Sequence, residues 1–277
     1  MSLFKNTFND FIASYRHGLE KILFVLGRQI PNIPILKAIP NRVLKPIHLL
    51  LNRKSIVVSV LGFKMRLNPA ECVDGNLYFS PQLYDKIEIN WLKNRMPYDG
   101  VFVDVGGNIG FWSLYFASMF PRSKVIAIEA NPDTFNILNE NIMIYDYSNI
   151  KSIQLGVSDE FGVLDLCCND SGNRGADSFL SCPNDNKRRI RVLVKPLLEI
   201  LISTGVSKID ILKIDIEGFE MRVLTRFFSD APFSIWPKFI CAEVSHVPET
   251  IPLLETHGYK VVLLIGENCI FEMKTIN

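Results

Sequence analysis

The chain has 277 residues, 48% of them hydrophobic and 21% charged, with a formal net charge of +1. Such a chain can bury a substantial core as one α/β unit with an extension, and this balance excludes a disordered or low-complexity protein. Near-neutrality also lacks the basic excess of a nonspecific nucleic-acid binder, so a small molecule or a glycan is the expected partner rather than nucleic acid.

Residues 1–30 carry Leu3, Phe4, Phe8, Phe11, Ile12, Tyr15, Leu19, Ile22, Leu23 and Leu26 close to helical period, flanked by Arg16, Lys21 and Arg28. The plain reading is a helix packed on its own domain or on a mate in a homodimer; the alternative is an amphipathic segment in weak contact with a membrane surface. The run Ile22–Leu26 is far too short to span a bilayer and has no cleavage context, so no transmembrane segment is read and a cytoplasmic location is expected. Pro31, Pro34, Pro40 and Pro46 then limit the chain to turns and short helical pieces. Residues 1–54 are accordingly read as an N-terminal helical extension and residues 55–277 as the main domain.

From Ser55 the texture becomes β: Ser55–Val60 and Lys64–Leu67 flank Leu61-Gly62-Phe63 as a hairpin. A helical pattern over 83–96 leads to the buried-strand run Val101–Val105. The chain then reads Asp104-Val105-Gly106-Gly107-Asn108-Ile109-Gly110 before the apolar helix Phe111–Phe120. Glycines there bend a strand tightly into a helix and let backbone approach a ligand, which would meet N–H groups and the positive end of a helix dipole. The G-G-x-x-G spacing fits a pyrophosphate-binding G-x-G-x-x-G turn poorly, and the Asp104 carboxylate suits a cation better than an anion.

Val125–Ile128 is a second strand ending on Glu129, placed to accept the two hydroxyls of a ribose. Ala130-Asn131-Pro132 opens a helix through Phe135, Leu138 and Ile142, and a third strand spans about 150–155. Asp159 follows it, either as a contact to an adenine amino group or as an ordinary turn carboxylate. Val163–Leu166 and Arg189–Val194 are strands separated by the polar stretch 169–188, and Lys187, Arg188, Arg189 and Arg191 form a basic cluster that reads as solvated, with an anionic-substrate contact as the alternative. Strands Ile209–Ile214 and Phe239–Ala242 end on Asp215 and Glu243, and 259–265 with 270–274 form a closing hairpin. The six cysteines contain no C-x-x-C pair and read as reduced, partly buried thiols; the ligand spacings of a zinc site are absent.

Strands alternating with helices and ending on carboxylates predict an open α/β sheet whose ligand sits beyond the strands' carboxyl ends, where Asp104, Glu129, Asp215 and Glu243 would converge. The turn Val103–Gly110, the segment Glu129–Pro132, the stretch Lys213-Ile214-Asp215-Ile216-Glu217-Gly218-Phe219-Glu220 and Ala242-Glu243 occur in the order found in the FkbM-type S-adenosylmethionine-dependent methyltransferases, which the chain resembles over about residues 55–275. The resemblance implies a Rossmann-like, seven-stranded class I methyltransferase fold, doubly wound and mostly parallel with a C-terminal antiparallel hairpin. It also implies methyl transfer, usually to a hydroxyl of a sugar, glycan or small metabolite. Cofactor contacts are then expected from Asp104, Gly106, Gly107, Asn108, Gly110, Glu129, Asn131 and Asp159.

Asp215 is the leading catalytic candidate, with Glu217, Glu243 and His246 as plausible partners; His246 could serve as base, or Asp215 with Glu243 could hold a divalent metal such as Mg²⁺. Glu217 and Glu220 have a purely local explanation too, as acids complementing a helix start. Two departures from the family pattern stand out. Gly107 takes a place that is often alanine, and Pro196-Leu197-Leu198-Glu199 stands where a threonine–leucine–aspartate run is common. That missing aspartate keeps open a catalytically degenerate binding protein, and a nicotinamide-dependent oxidoreductase is the remaining alternative.

Overall fold

The computed structural model describes residues 18–31, 39–51, 55–169, 172–180, 182 and 187–274, and the chain divides into two compact units, Met1–Lys86 and Ile87–Asn277. In the first unit, strands β1 (Ile56–Val60) and β2 (Phe63–Leu67) pair antiparallel around Leu61-Gly62, the expected hairpin, with positive φ at both turn residues. Alternation on β2 buries Phe63, Met65 and Leu67 on one face. Residues 18–29 are helical; the expected continuation through residues 1–17 lies outside the described residues. Pro40 sits at the first position of the helical segment 40–51, where its missing N–H costs nothing. The helix Cys72–Phe79 collects this unit's aromatic contacts: Tyr78 lies 4.9 Å from the Phe24 ring and 5.0 Å from the His48 ring.

In the second unit the apolar runs become the strands β3 (Val101–Val105), β4 (Lys124–Glu129) and β5 (Ile150–Gln154), then the short β6 (Gly156–Ser158), β7 (Gly162–Cys167) and β8 (Arg189–Pro196), and finally β9 (Ile211–Ile214), β10 (Phe239–Glu243), β11 (Tyr259–Ile265) and β12 (Asn268–Met273). Seven of them form one sheet in the order β11-β12-β10-β9-β3-β4-β5, in which β12 alone runs against the others. This is the predicted doubly wound, mostly parallel sheet closed by an antiparallel hairpin. β3, β9 and β10 are buried along their whole length, as strands covered on both faces must be. Helix Phe111–Met119 lies beside β3 and β4 and is apolar nearly all round, with Phe116 stacked 4.3 Å from the Phe102 ring.

Strand order reverses between β3 and β9: β4 and β5 build outward on one side, β10 on the other. The carboxyl ends of β3 and β9 therefore meet at the switch point, where ligands bind in such sheets. Several features escape the sequence reading, helix Cys72–Phe79 among them. Helices Leu197–Ser203 and Thr250–Thr256 are too short to show a period, and β6, β7 and β8 form a separate three-stranded sheet. The cysteine expectation also needs correction. Cys167, at the end of β7, and Cys182, fifteen residues on, lie 5.5 Å apart between Cα atoms and are joined as a disulfide, because the loop after β7 folds back through a Cys167–Ser178 bridge. Cys72, Cys168, Cys241 and Cys269 take no part in that disulfide, and the last three are buried. No helix among the described residues is long and apolar enough to cross a membrane.

Candidate active site

Gly106 is the hinge of the site. Its φ is +77°, and a Cβ there would stand 1.9 Å from the Asp215 carbonyl oxygen, so only glycine lets the two strand ends touch. Gly110, at φ +93°, leaves no room for a Cβ beside Leu138. Gly107 has only ordinary contacts around its missing Cβ, which explains why alanine suffices at this place in the family pattern. One expectation changes here. The N–H groups of Gly106 and Gly107 both donate to the Ile128 carbonyl, that of Gly110 to Gly107, and that of Asn108 to Glu129 Oε2 at 2.8 Å. The turn spends these donors within the protein and offers no open anion cradle from them, a physical reason against a pyrophosphate beyond the spacing.

Glu129 leaves the end of β4 partly exposed and is held from two sides, accepting from the Asn108 N–H on one oxygen and the Asn131 N–H on the other, both at 2.8 Å. Burial pushes its carboxyl up to about 7, against the pull of those two N–H groups. Each oxygen keeps lone-pair capacity for a further donor. Asn131 itself is buried. Its Oδ1 caps the next helix through the Asp133 N–H, and its amide donates to Asp177 at 2.6 Å, so its side chain is engaged in structure. Asp159 is ion-paired with Arg222 at 2.9 Å and bonded by Ser158, partners that account for it as a local anchor.

Asp104 lies under the turn. It is 1% exposed, accepts from Ser113 Oγ at 2.6 Å, and stands opposite Lys213 in the β3/β9 register. The buried Lys213 Nζ reaches Asp215 at 3.0 Å and Asp104 at 4.0 Å. Burial raises the Asp104 carboxyl despite Lys213 and Ser113, whereas for Lys213 burial is outweighed by Asp215 and Asp104, which raise its pKa. Lys213 thus joins the carboxylates at the two strand ends, one covered and one open to solvent. Lys213 and Ser113 were not singled out in the sequence, although an alternating Lys-x-Asp on a buried strand was a usable signal.

Beyond β9 the chain passes through a left-handed pair, Glu217 at φ +52° and Gly218 at φ +100°. Glu220 holds that loop: its carboxylate accepts from the Ile216 N–H at 2.7 Å and the Gly218 N–H at 2.9 Å while nearly fully buried. The local, capping account of Glu220 is therefore the one its contacts support. Ser178, carried in by the β7–β8 loop, donates to the Glu217 carbonyl at 2.8 Å. The loop places Glu217 facing Glu243 at the end of β10 and His246 three residues later. His246 Nδ1 lies 3.1 Å from Glu243 Oε1 and 3.5 Å from Glu217 Oε2. Ser245 Oγ donates to the same Glu243 oxygen.

Burial and the nearby charges of Glu243 and Asp215 push Glu217 up to about 7. Desolvation works against the His246 charge, but Glu243 and Glu217 prevail and raise its pKa. The ring is half exposed, so its chemistry is accessible from outside. The donor atoms of Glu217, Glu243 and His246 lie within 4.8 Å of one another, a set that could also hold a metal ion. The sequence named all three residues without foreseeing that they converge. Asp215 stands apart, turned to Lys213. The basic cluster near residue 188 is exposed, and Arg188 pairs with Asp133, matching its solvated reading.

The profile of the methyltransferase FkbM domain matches residues 104–261, which covers every residue of the turn and of the carboxylate–histidine cluster. Among curated proteins, methyltransferase sdnD of Sordaria araneosa is 29% identical over 160 residues, a match spanning 47% of this chain and 61% of that protein. Methyltransferase 1 of Beauveria bassiana is 27% identical over 60% of this chain and 75% of its own length. The 31-O-demethyl-FK506 methyltransferase FkbM of Streptomyces tacrolimicus is 30% identical over 60% of this chain and 74% of its own.

Proposed function

The chain belongs to the FkbM methyltransferase family, and on that premise we propose that it transfers a methyl group from S-adenosylmethionine to a hydroxyl oxygen of a sugar, glycan or small metabolite. The observation that carries the reading is the division of labour at the switch point: a self-bonded turn with a held carboxylate on one side, an accessible carboxylate–histidine cluster on the other. The residues fit the cofactor. Glu129, held by two backbone donors at the mouth of the turn, would take the ribose hydroxyls, and the cation-tolerant neighbourhood of Asp215 suits a positively charged group. When bound, S-adenosylmethionine supplies an electrophilic methyl on a sulfonium.

The protein's own part in the reaction is orientation and proton removal. With Nδ1–H donating to Glu243, His246 presents Nε2 as the acceptor, and the proton of the substrate hydroxyl passes there as its oxygen becomes the nucleophile. Glu217 and Glu243 stabilise the imidazolium that results. Family resemblance to an O-methyltransferase by name supports oxygen as the acceptor atom, and a half-exposed base suits an acceptor of modest size. The same cluster supports a second reading, in which Glu217, Glu243 and His246 hold a divalent cation that polarises the hydroxyl; an imidazole in the set favours Fe or Zn over Mg.

Calorimetric titration with S-adenosylmethionine, S-adenosylhomocysteine and NAD tests the cofactor, with Glu129→Ala as control. Micromolar binding of the first two, lost in the variant, is expected; binding of NAD alone would sink the proposal. Methyl-labelled S-adenosylmethionine offered with paired alcohol and amine acceptors then tests the oxygen preference. Chelator treatment separates the base from the metal: full turnover after exhaustive chelation supports His246 acting alone.

A further inference from the structure

Charge is divided along this chain far more sharply than its net value shows. Residues 1–54 hold nine Lys/Arg and two Asp/Glu, whereas the remainder holds 21 and 27, a contrast of +7 against −6. The same N-terminal stretch carries a concentration of exposed aliphatic side chains. On helix 18–29 the buried positions Leu23 and Gly27 face inward, and Gly27 packs directly against Phe79. Opposite them Leu19, Ile22, Val25 and Leu26 are 37–54% exposed. At 100° per residue these four, with Gly18 and Gln29, form one stripe without a charge, and Lys21 borders it. The segment 40–51 repeats the arrangement. His48 is buried against Tyr78, while Val43, Ile47 and Leu50 stand outward at spacings of four and three, Leu50 at 80% exposure, with Arg42 alongside.

A helix in a soluble unit turns its apolar stripe to the core and charges to water. These two segments have apolar residues on both faces, Leu23, Gly27 and Leu44 inside and a further branched aliphatic set outside, and four of their five acidic or basic residues are positive. We propose that the N-terminal unit docks on an anionic lipid surface, its outward aliphatic stripes entering the headgroup boundary and the exposed Lys21 and Arg42 beside them meeting the acidic headgroups. The positive charge argues for lipid over a second copy of the same chain, since two such surfaces brought face to face would repel. The uncharged, branched aliphatic stripes argue against nucleic acid, which is met by basic and stacking aromatic groups. Docking of this kind would hold the enzyme at a surface and would favour acceptors presented there.

The test is vesicle co-sedimentation of the full chain at moderate salt, with vesicles of pure phosphatidylcholine and of phosphatidylcholine containing 30% phosphatidylglycerol. Binding only to the anionic vesicles, weakened by added salt, is expected. Ile22→Glu combined with Leu50→Glu should reduce it by more than ~10-fold, and Lys21→Gln or Arg42→Gln by about 5-fold each, the factor for one cation near such a surface. Circular dichroism and S-adenosylmethionine affinity should not change in these variants, which separates a failed surface from a failed fold or cofactor site. Equal binding to both vesicle types, or none, overturns the proposal. So does a halved mass by light scattering in the Ile22→Glu, Leu50→Glu variant, which assigns the stripes to a dimer. A lowered melting temperature in that variant with unchanged vesicle binding also overturns it, by assigning the stripes to the chain's own interior.

Discussion

The two halves of the site, one on each side of the strand-order reversal, are built on opposite principles. On the β3–β4 side the carboxylates are held one by one: Asp104 accepts from Ser113 with Lys213 4.0 Å away, and Glu129 accepts from two backbone N–H groups. On the β9–β10 side Glu217 and Glu243 converge on one imidazole, like charges pressed together with a single titrating partner. The first arrangement fixes a shape and the second stores electrostatic tension, relieved by taking up a proton. A binding surface needs the former, and a proton acceptor needs the latter. Under the proposed function, cofactor binding falls to the first side and chemistry to the second.

The largest effect should come where the two sides touch. Gly106→Ala would drive a Cβ into the Asp215 carbonyl and impose a positive φ on alanine, so a loss of more than about 3 kcal/mol is expected, read as a collapse of the urea midpoint. Lys213→Met comes next. It leaves Asp104 buried beside an uncompensated Asp215, and breaking such a buried pair costs about 3–5 kcal/mol. The loss should shrink at acid pH, where Asp104 can take a proton; equal losses at pH 5 and pH 8 would count against the electrostatic account.

Two substitutions then separate the halves. His246→Ala should lower kcat by about 100-fold or more while leaving S-adenosylmethionine affinity within two-fold, roughly the contribution of a positioned general base. Glu129→Ala should do the reverse, weakening the cofactor by about 10-fold or more through the loss of charge-assisted bonds. If both variants moved affinity and kcat together, the division drawn above would fail.

The smallest effect is in pH dependence. Glu129 and Glu217 are raised to about 7, so the folded protein holds their protons between about 4.5 and 7 while the unfolded chain releases them. His246 is raised as well, and its stabilising charge is lost as pH climbs through its folded value. All three act in one direction. The melting temperature of the apoprotein should fall by a few degrees from pH 5 to pH 8, and Glu217→Gln should flatten that slope. Turnover should rise over the same interval, because the base must be neutral to accept a proton.

Much of this was legible in one dimension. The strand ends at Asp104, Glu129, Asp215 and Glu243 follow from β-branched runs stopped by an acid, and the hairpin at Leu61-Gly62 from its turn residues. These signals are local, carried by neighbours in the chain. The short helices left no period to find, and the Cys167–Cys182 disulfide could not be read from spacing without knowing that the loop after β7 turns back. The residues of the site were named from the sequence, but their working relations were not.

By itself the sequence determined the order of elements, the family, the glycine turn and which acids end the strands, since each depends on residue type at short range. Only the tertiary structure decided that the turn's Gly106, Gly107, Asn108 and Gly110 N–H groups are spent internally, that Lys213 joins Asp104 to Asp215, and that Glu217, Glu243 and His246 share a point in space. Those facts depend on the register of β3 against β4 and β9 and of β9 against β10, with β3 and β9 partners such as Phe102 and Ile211 far apart in the chain. Register is a property of the assembled sheet, so no window of the chain contains it.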